Sequence, residues 1–151
     1  MSLDEELLAF ATGSVMLVMG TADANRQPAI ARAVGVRHGG DEALRIIYSR
    51  KRWPSVAPNV AATGLLALTC VKPIDYTAYQ LKGPASVGVL DDADRQCNAD
   101  YVARAGDTLP VSTTDPGHAA IWMDSEDLGV IIQQVREVYI QTPGSRAGVR
   151  R

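Results

Sequence analysis

The sequence predicts a mainly β fold, an antiparallel six-stranded barrel with flanking α-helices. Three observations carry the prediction. Apolar runs of strand length recur along the chain, too short to be helices on their own. Turn-forming clusters such as Asp23-Ala-Asn-Arg-Gln-Pro28 separate them at hairpin spacing. There is no regular alternation of strand and helix and no Gly-rich phosphate loop after a first strand, which argues against a doubly wound sheet.

The elements follow in order. Ser2 and Glu5 have capping-box spacing, and Leu3, Leu7, Leu8 and Phe10 supply an apolar face for a short helix that Gly13 stops. Ser14 to Gly20 reads as a buried strand, and Pro28 to Val36 as its hairpin partner. The turn His38-Gly-Gly-Asp-Glu42 leads into a strand from Ala43 to Tyr48. Val56 to Thr63 is a short helix ending at Gly64, and Leu65 to Val71 is the next strand. Tyr76 to Val89 is a long strand interrupted at Gly83-Pro84, where a missing amide donor predicts a bulge or an edge. Asp91 or Asp92 caps a helix running to about Ala105. Gly106 to Gly117 is loop-like, Ala119 to Asp127 is ambiguous, and Leu128 to Ile140 is one final long strand before a Pro- and Gly-containing tail.

At 151 residues the chain suits one domain spanning 1–151, with 142–151 a flexible or partner-contacting tail. A net charge of -2 argues against nucleic acid as a partner. No signal peptide or membrane-length apolar span is seen, so the expected location is the cytoplasm, with no membrane partner. Cys70 and Cys97 read as reduced thiols, and no residues have metal-ligand spacing.

Several residues stand out chemically. Strand alternation puts Arg32 on a face with Ile30, Val34 and Val36, opposite a strip of small residues, Ala29, Ala31, Ala33 and Gly35. A guanidinium there either meets an anion or snorkels to water at a barrel rim. The triplet Arg50-Lys51-Arg52 lies between a strand end and a helix start. It is either a solvated turn or an anion socket, with Ser49 and Ser55 adding hydroxyls and the helix N-terminus adding amide donors. Gln80 and Lys82 share a strand face with Tyr76 and Ala78, which is either solvent-facing or turned toward a heterocycle. His38 and His118 have no evident catalytic partner, Trp53 and Trp122 read as core cover, and no nucleophile motif appears. The catalytic residues are therefore unassigned.

Taken together, these stretches resemble the pyridoxamine 5'-phosphate oxidase-like family of FMN-binding split barrels, in particular a small bacterial branch. The resemblance runs from about Leu7 to Gly144. It rests on Gly20 to Pro28, Arg32-Ala-Val-Gly-Val-Arg37, Tyr48-Ser-Arg-Lys51, Leu65 to Val71, Thr77-Ala-Tyr-Gln-Leu-Lys-Gly83 and Val138-Tyr-Ile-Gln-Thr-Pro-Gly144. It implies a homodimer with FMN at the interface and a flavin oxidoreductase acting on a small molecule. It also implies that Arg32, Ala33, Val34, Tyr48, Ser49, Arg50, Lys51, Arg52, Ser55 and Gln80 bind the cofactor, with Arg37 matching a further basic position. Two registers stay open for the phosphate, Arg50-Lys51 or Ser55 at the helix start. The chain lacks the C-terminal Trp and Arg-rich segment of the vitamin B6 oxidases, so that reaction is not expected. The alternatives are a non-enzymatic flavin or haem carrier or sensor, or a deazaflavin-binding relative.

Overall fold

The computed structural model describes residues 3–108, 117, 120–121 and 123–151. The first helix, α1 (Glu5–Ala11), starts on Asp4, whose carboxylate accepts the Leu7 amide at 2.9 Å. The cap is thus Asp4 rather than Ser2, which lies outside the described residues. The strands β1 (Met16–Ala22), β2 (Pro28–His38) and β3 (Ala43–Ser49) follow as an antiparallel meander. Then come α2 (Val56–Thr63), β4 (Leu65–Val71), β5 (Ala78–Val87), α3 (Asp92–Thr108), β6 (Leu128–Gln134) and β7 (Glu137–Ile140). Gly64 closes α2 in the left-handed region, φ 66°, where a side chain would be strained.

Six strands close a barrel in the order β4-β1-β2-β3-β6-β5, with β4 pairing β5 to complete the ring. The seventh, β7, pairs with β5 outside that ring. The single strand expected from Leu128 to Ile140 is thus two, broken at Val135 and Arg136, whose amides donate to Glu42 and Lys82 carbonyls. The break lets one edge of β5 serve both pieces: Tyr79 to Lys82 face β7, and Ala85 to Val87 face β6. Gly83-Pro84 sits where β5 changes partner. The expected strand start at Tyr76 is instead a turn, with Tyr76 at φ 60°.

Leu17, Met19, Leu44, Ile46, Leu66, Leu68, Leu81 and Ile131 are all buried in one apolar cluster. At about 25 cal/mol per Å² of apolar surface, such side chains each contribute roughly 1.5–3 kcal/mol. A bulge in β2 between Ala33 and Val36 changes which residues point inward. Ala31, Ala33, Val34 and Val36 are all buried, whereas Ile30 is 70 % exposed and Arg32 is half-buried. Ala33, Val34, Gly35 and Val36 are buried in succession, so the alternation expected to put Arg32 on one face with Ile30, Val34 and Val36 does not survive the extra residue.

The small strip also has a packing reason. A Cβ on Gly35 would stand 3.3 Å from the Cys97 sulfur and 3.4 Å from the Asn98 amide nitrogen, so α3 lies close over β2 there. The inner face of α3 is polar. Asp94, Asn98, Tyr101 and Ala105 are buried at helical spacing. Asn98 Nδ2 donates to the Val34 carbonyl at 2.9 Å, and the Tyr101 hydroxyl donates to the Val15 carbonyl at 2.8 Å. Helix docking here is a matter of satisfied hydrogen bonds more than of an apolar stripe.

Residues 142–151 turn back along β7. Ile140 N donates to Val149 O at 2.8 Å, and Arg151 reaches α1 with ion pairs to Asp4 and Glu6 at 3.1 and 3.0 Å. Among the described residues, no helix is long and apolar enough to cross a membrane.

Candidate functional site

The cationic triplet leaves the end of β3 and meets an acidic segment preceding β6. Arg50 pairs with Asp127 at 2.6 Å, Lys51 with Glu126 at 2.5 Å and Arg52 with Asp124 at 3.1 Å. Backbone bonds set the register, since Arg50 N donates to Asp127 O at 2.8 Å. Ser49 is buried, its hydroxyl donating to the Glu126 carbonyl at 2.6 Å and accepting the Arg52 amide at 3.1 Å. Glu126 holds the Lys51 ammonium above the usual lysine range by a hydrogen bond and its charge. Lys51 and Glu126, like Arg50 and Asp127, are mostly exposed to water, so these pairs contribute little to stability. Their consequence is local neutrality where a bare socket for an anion was one of two readings.

Ser55 differs. It is exposed, it caps α2, and its hydroxyl makes no capping bond. Tyr48 is buried, and burial pushes its phenol pKa up. Beside it lies a cavity of about 420 Å³, bounded by Arg50, Arg95, Ser125, Asp127 and Gly129.

Arg32 and Gln80 lie in one cross-strand row. Arg32 pairs with Val18, Val18 with Thr69, and Thr69 with Gln80, whose amide donates to the Thr69 hydroxyl at 3.2 Å. Three strand spacings separate the two residues, roughly 14 Å. Burial lowers the Arg32 pKa, partly offset by Tyr101. Ala33 and Val34 are buried, and the Val34 carbonyl accepts a hydrogen bond from Asn98 of α3. Arg37 is likewise engaged, with Asp94 at 2.7 Å and Asp91 at 2.8 Å.

The residues expected to bind FMN thus fall into three places: the neutralised corner at 49–52 with Ser55 near it, the covered bulge of β2, and the outer row of Arg32 and Gln80. His38 sits in its exposed turn with Nε2 2.9 Å from the Asp41 carbonyl oxygen, while His118 and Trp122 lie outside the described residues. Among the described residues no group of His, Cys, Asp and Glu could hold a metal.

Sequence reasoning did not single out Arg45, Asp94 or Asn98. The capping spacing of Asp91 and Asp94 was a signal for the start of α3, but nothing local announces the arginines that Asp94 meets.

No protein-family model matches the chain, and no curated protein matches its sequence. Solved structures do match. An F420 reductase superposes with TM-score 0.57 at 16 % identity, covering 90 % of this chain and 98 % of that one. A putative pyridoxamine 5'-phosphate oxidase of Lactobacillus delbrueckii gives 0.57 at 15 %, covering 91 % and 93 %. The heme storage protein HutZ of Vibrio cholerae gives 0.54 at 15 %, covering 93 % and 95 %. The chain has the split-barrel fold shared by the pyridoxamine 5'-phosphate oxidase-like proteins.

The two thiols are chemically unequal. Cys70 is fully buried and its pKa is pushed up to about 12, while Cys97 is only partly buried and raised less by its own burial. Native protein mixed with a chromogenic disulfide reagent at pH 8 is expected to release one thiol equivalent slowly, from Cys97, and a second only on unfolding. Prompt reaction of both thiols in the native state would contradict this arrangement.

Proposed function

We propose that the protein is a homodimer that binds a flavin between two barrels and acts as an FMN-dependent oxidoreductase on a small molecule, in a reducing cytoplasm. The carrying observation is the outer row of β2, β1, β4 and β5, which sets Arg32 and Gln80 on one face while leaving Ile30 exposed beside Arg32. Two residues that the family resemblance assigns to the flavin thus share a surface that a second barrel would cover. With Arg50, Lys51 and Arg52 held by carboxylates, the register in which Ser55 receives the phosphate has the better support. A flavin's ring carries the redox chemistry, and the protein supplies position and electrostatics.

The neutralised triplet also favours a second reading, a haem-binding carrier or sensor, or a deazaflavin-binding relative, without an FMN clamp. The heme storage and F420 reductase names of two structural neighbours are in keeping with it. One experiment separates these readings. Protein purified at its native mass should be dimeric, and its visible spectrum should show a flavin band or gain one on adding FMN. A colourless protein that takes up no FMN overturns the proposal; a haem band or a bound deazaflavin by mass selects the alternative.

A further inference from the structure

Cations without a carboxylate partner gather elsewhere, around a groove of about 970 Å³ on the outer face of the barrel. It runs from the β1–β2 hairpin, across β1 and β4, to the middle of β5 and the start of β7. Its floor is shallow because Gly20, Ala67 and Lys82 form one cross-strand row, Gly20 opposite Ala67 and Ala67 opposite Lys82. Two of those three positions present almost no side chain, so a flat body can lie against the sheet. Leu65, 59 % exposed, together with Ala22, Ala62 and Pro84, supplies apolar walls.

Arg26, Lys82 and Arg136 line this groove, and none has an ion pair among the described residues. Lys82 and Arg136 are held side by side by the Arg136 amide donating to the Lys82 carbonyl at 2.9 Å. The Lys82 ammonium stands 4.9 Å from the centre of the Tyr139 ring. Two carboxylates also line the groove, Glu137 directly opposite Lys82 in the β5–β7 register, so three cations face two anions there. Asp23 accepts the amides of Asn25 and Gln27 at 2.8 and 2.9 Å, and Glu137 accepts the Tyr139 hydroxyl. At the triplet 50–52 each cation is in a close ion pair; here none is, and the cations outnumber the carboxylates by one.

We propose that this groove binds an amphipathic anion, a flat or extended apolar molecule with a carboxylate or phosphate. The apolar body lies on Gly20, Ala67 and Leu65, and the anionic group sits on Lys82 and Arg136. Charge complementarity favours such a ligand over an uncharged one, since an anion here gains charge-assisted hydrogen bonds. The groove lies one row along from Arg32 and Gln80 on the same outer face, Ile30 being paired with Gly20, so the proposal rests on that part of the face staying open to a ligand beside any second barrel.

Pyrenebutyrate, a flat fluorescent carboxylate, is a suitable probe, with pyrenebutanol as its uncharged counterpart. Titration of the full chain should show saturable binding of the acid and about tenfold weaker binding of the alcohol, the worth of one charge-assisted bond. Lys82→Ala and Arg136→Ala should each weaken the acid about tenfold and leave the alcohol unchanged, with far-UV dichroism confirming the fold. Lys51→Ala, at the neutralised corner, should change neither. Equal binding of acid and alcohol, indifference to both substitutions, or no binding of the acid overturns the proposal. So does a dimer that dissociates on Lys82→Ala or Arg136→Ala without the probe binding, which would make the groove a face between copies.

Discussion

Replacing Asp94 by Ala is expected to destabilise the fold by about 3–5 kcal/mol, read as a shift of the urea midpoint at unchanged slope. The side chain is wholly buried and accepts four hydrogen bonds. Arg37 Nε lies at 2.7 Å, Arg45 Nε at 2.9 Å, Arg45 Nη2 at 2.6 Å and the Asp91 amide at 3.0 Å. The Asp94 amide donates back to Asp91 at 2.8 Å, so the same residue closes the N-terminus of α3. Removing it leaves two arginines facing one another across β2 and β3 with only the exposed Asp91 between them. A domain of this kind has some 5–15 kcal/mol in total, so the loss is a large fraction. Arg50→Ala, by contrast, should cost no more than about 1 kcal/mol, because its ion pair is exposed.

The pH dependence follows from the same geometry. Burial by itself would raise the Asp94 pKa, but the hydrogen bonds from Arg45, the Asp91 amide and Arg37 outweigh it and hold the carboxyl well below the ordinary value near 3.8. A carboxyl depressed in the folded state stabilises above its unfolded pKa, about 3.9, and that contribution is lost as pH falls toward the folded value. The stability difference between the native chain and Asp94→Asn should therefore be level from pH 8 to about pH 5 and shrink below about pH 4. A difference that instead shrank between pH 8 and pH 6 would show that the carboxylate is not what the two arginines stabilise.

The contrast between local and distant information explains what could be read in the chain. The bounds of α2 and β4 are those expected, because Gly64 supplies a left-handed stop between a helical pattern and an apolar run. Turn chemistry at residues 23–28 and 38–42 likewise placed the hairpins. The bulge in β2 was not legible, since an inserted residue leaves the local composition unchanged while breaking the alternation of faces between Ala33 and Val36. The fate of the triplet was not legible either. Its partners stand 72 to 77 residues later, in a segment with no recognisable pattern of its own. Of the candidate site, Arg32 and Gln80 could be related only through four strands of register, whereas the groove cations are separated by 56 residues between Arg26 and Lys82 and by another 54 to Arg136. Charge clusters adjacent in sequence attract notice, yet here the adjacent ones are neutralised and the dispersed ones converge.

Gly83→Ala is the second change expected to have a large effect, about 3 kcal/mol, near the upper end of overpacking costs. A Cβ built on Gly83 would lie 1.8 Å from the Gln134 carbonyl oxygen and 3.1 Å from the Arg136 amide nitrogen. Those are backbone atoms, so no flexible side chain can move aside. The contact falls where β6 ends and β7 begins, and where β5 passes from one to the other. Relief would have to come from displacing Gln134 to Arg136, which would loosen the Arg136 N to Lys82 O bond and the Val135 N to Glu42 O bond at 2.9 Å each. The β5–β6 seam, paired only from Ala85 to Val87, is the barrel's shortest and should open first. Amide exchange in Gly83→Ala is therefore expected to quicken at Ala85 to Val87 and at Val135 and Arg136, while β1 and β2 keep their protection. Gly106→Ala, inside α3 where an added Cβ meets nothing within 4 Å, serves as the control and should lose no stability, with a gain of up to about 1 kcal/mol from helix propensity, and leave exchange in β5 and at Val135 and Arg136 unchanged. Native-like stability in Gly83→Ala would mean that the close approach of β5 to Gln134 is not what joins the two halves of the last strand to the barrel.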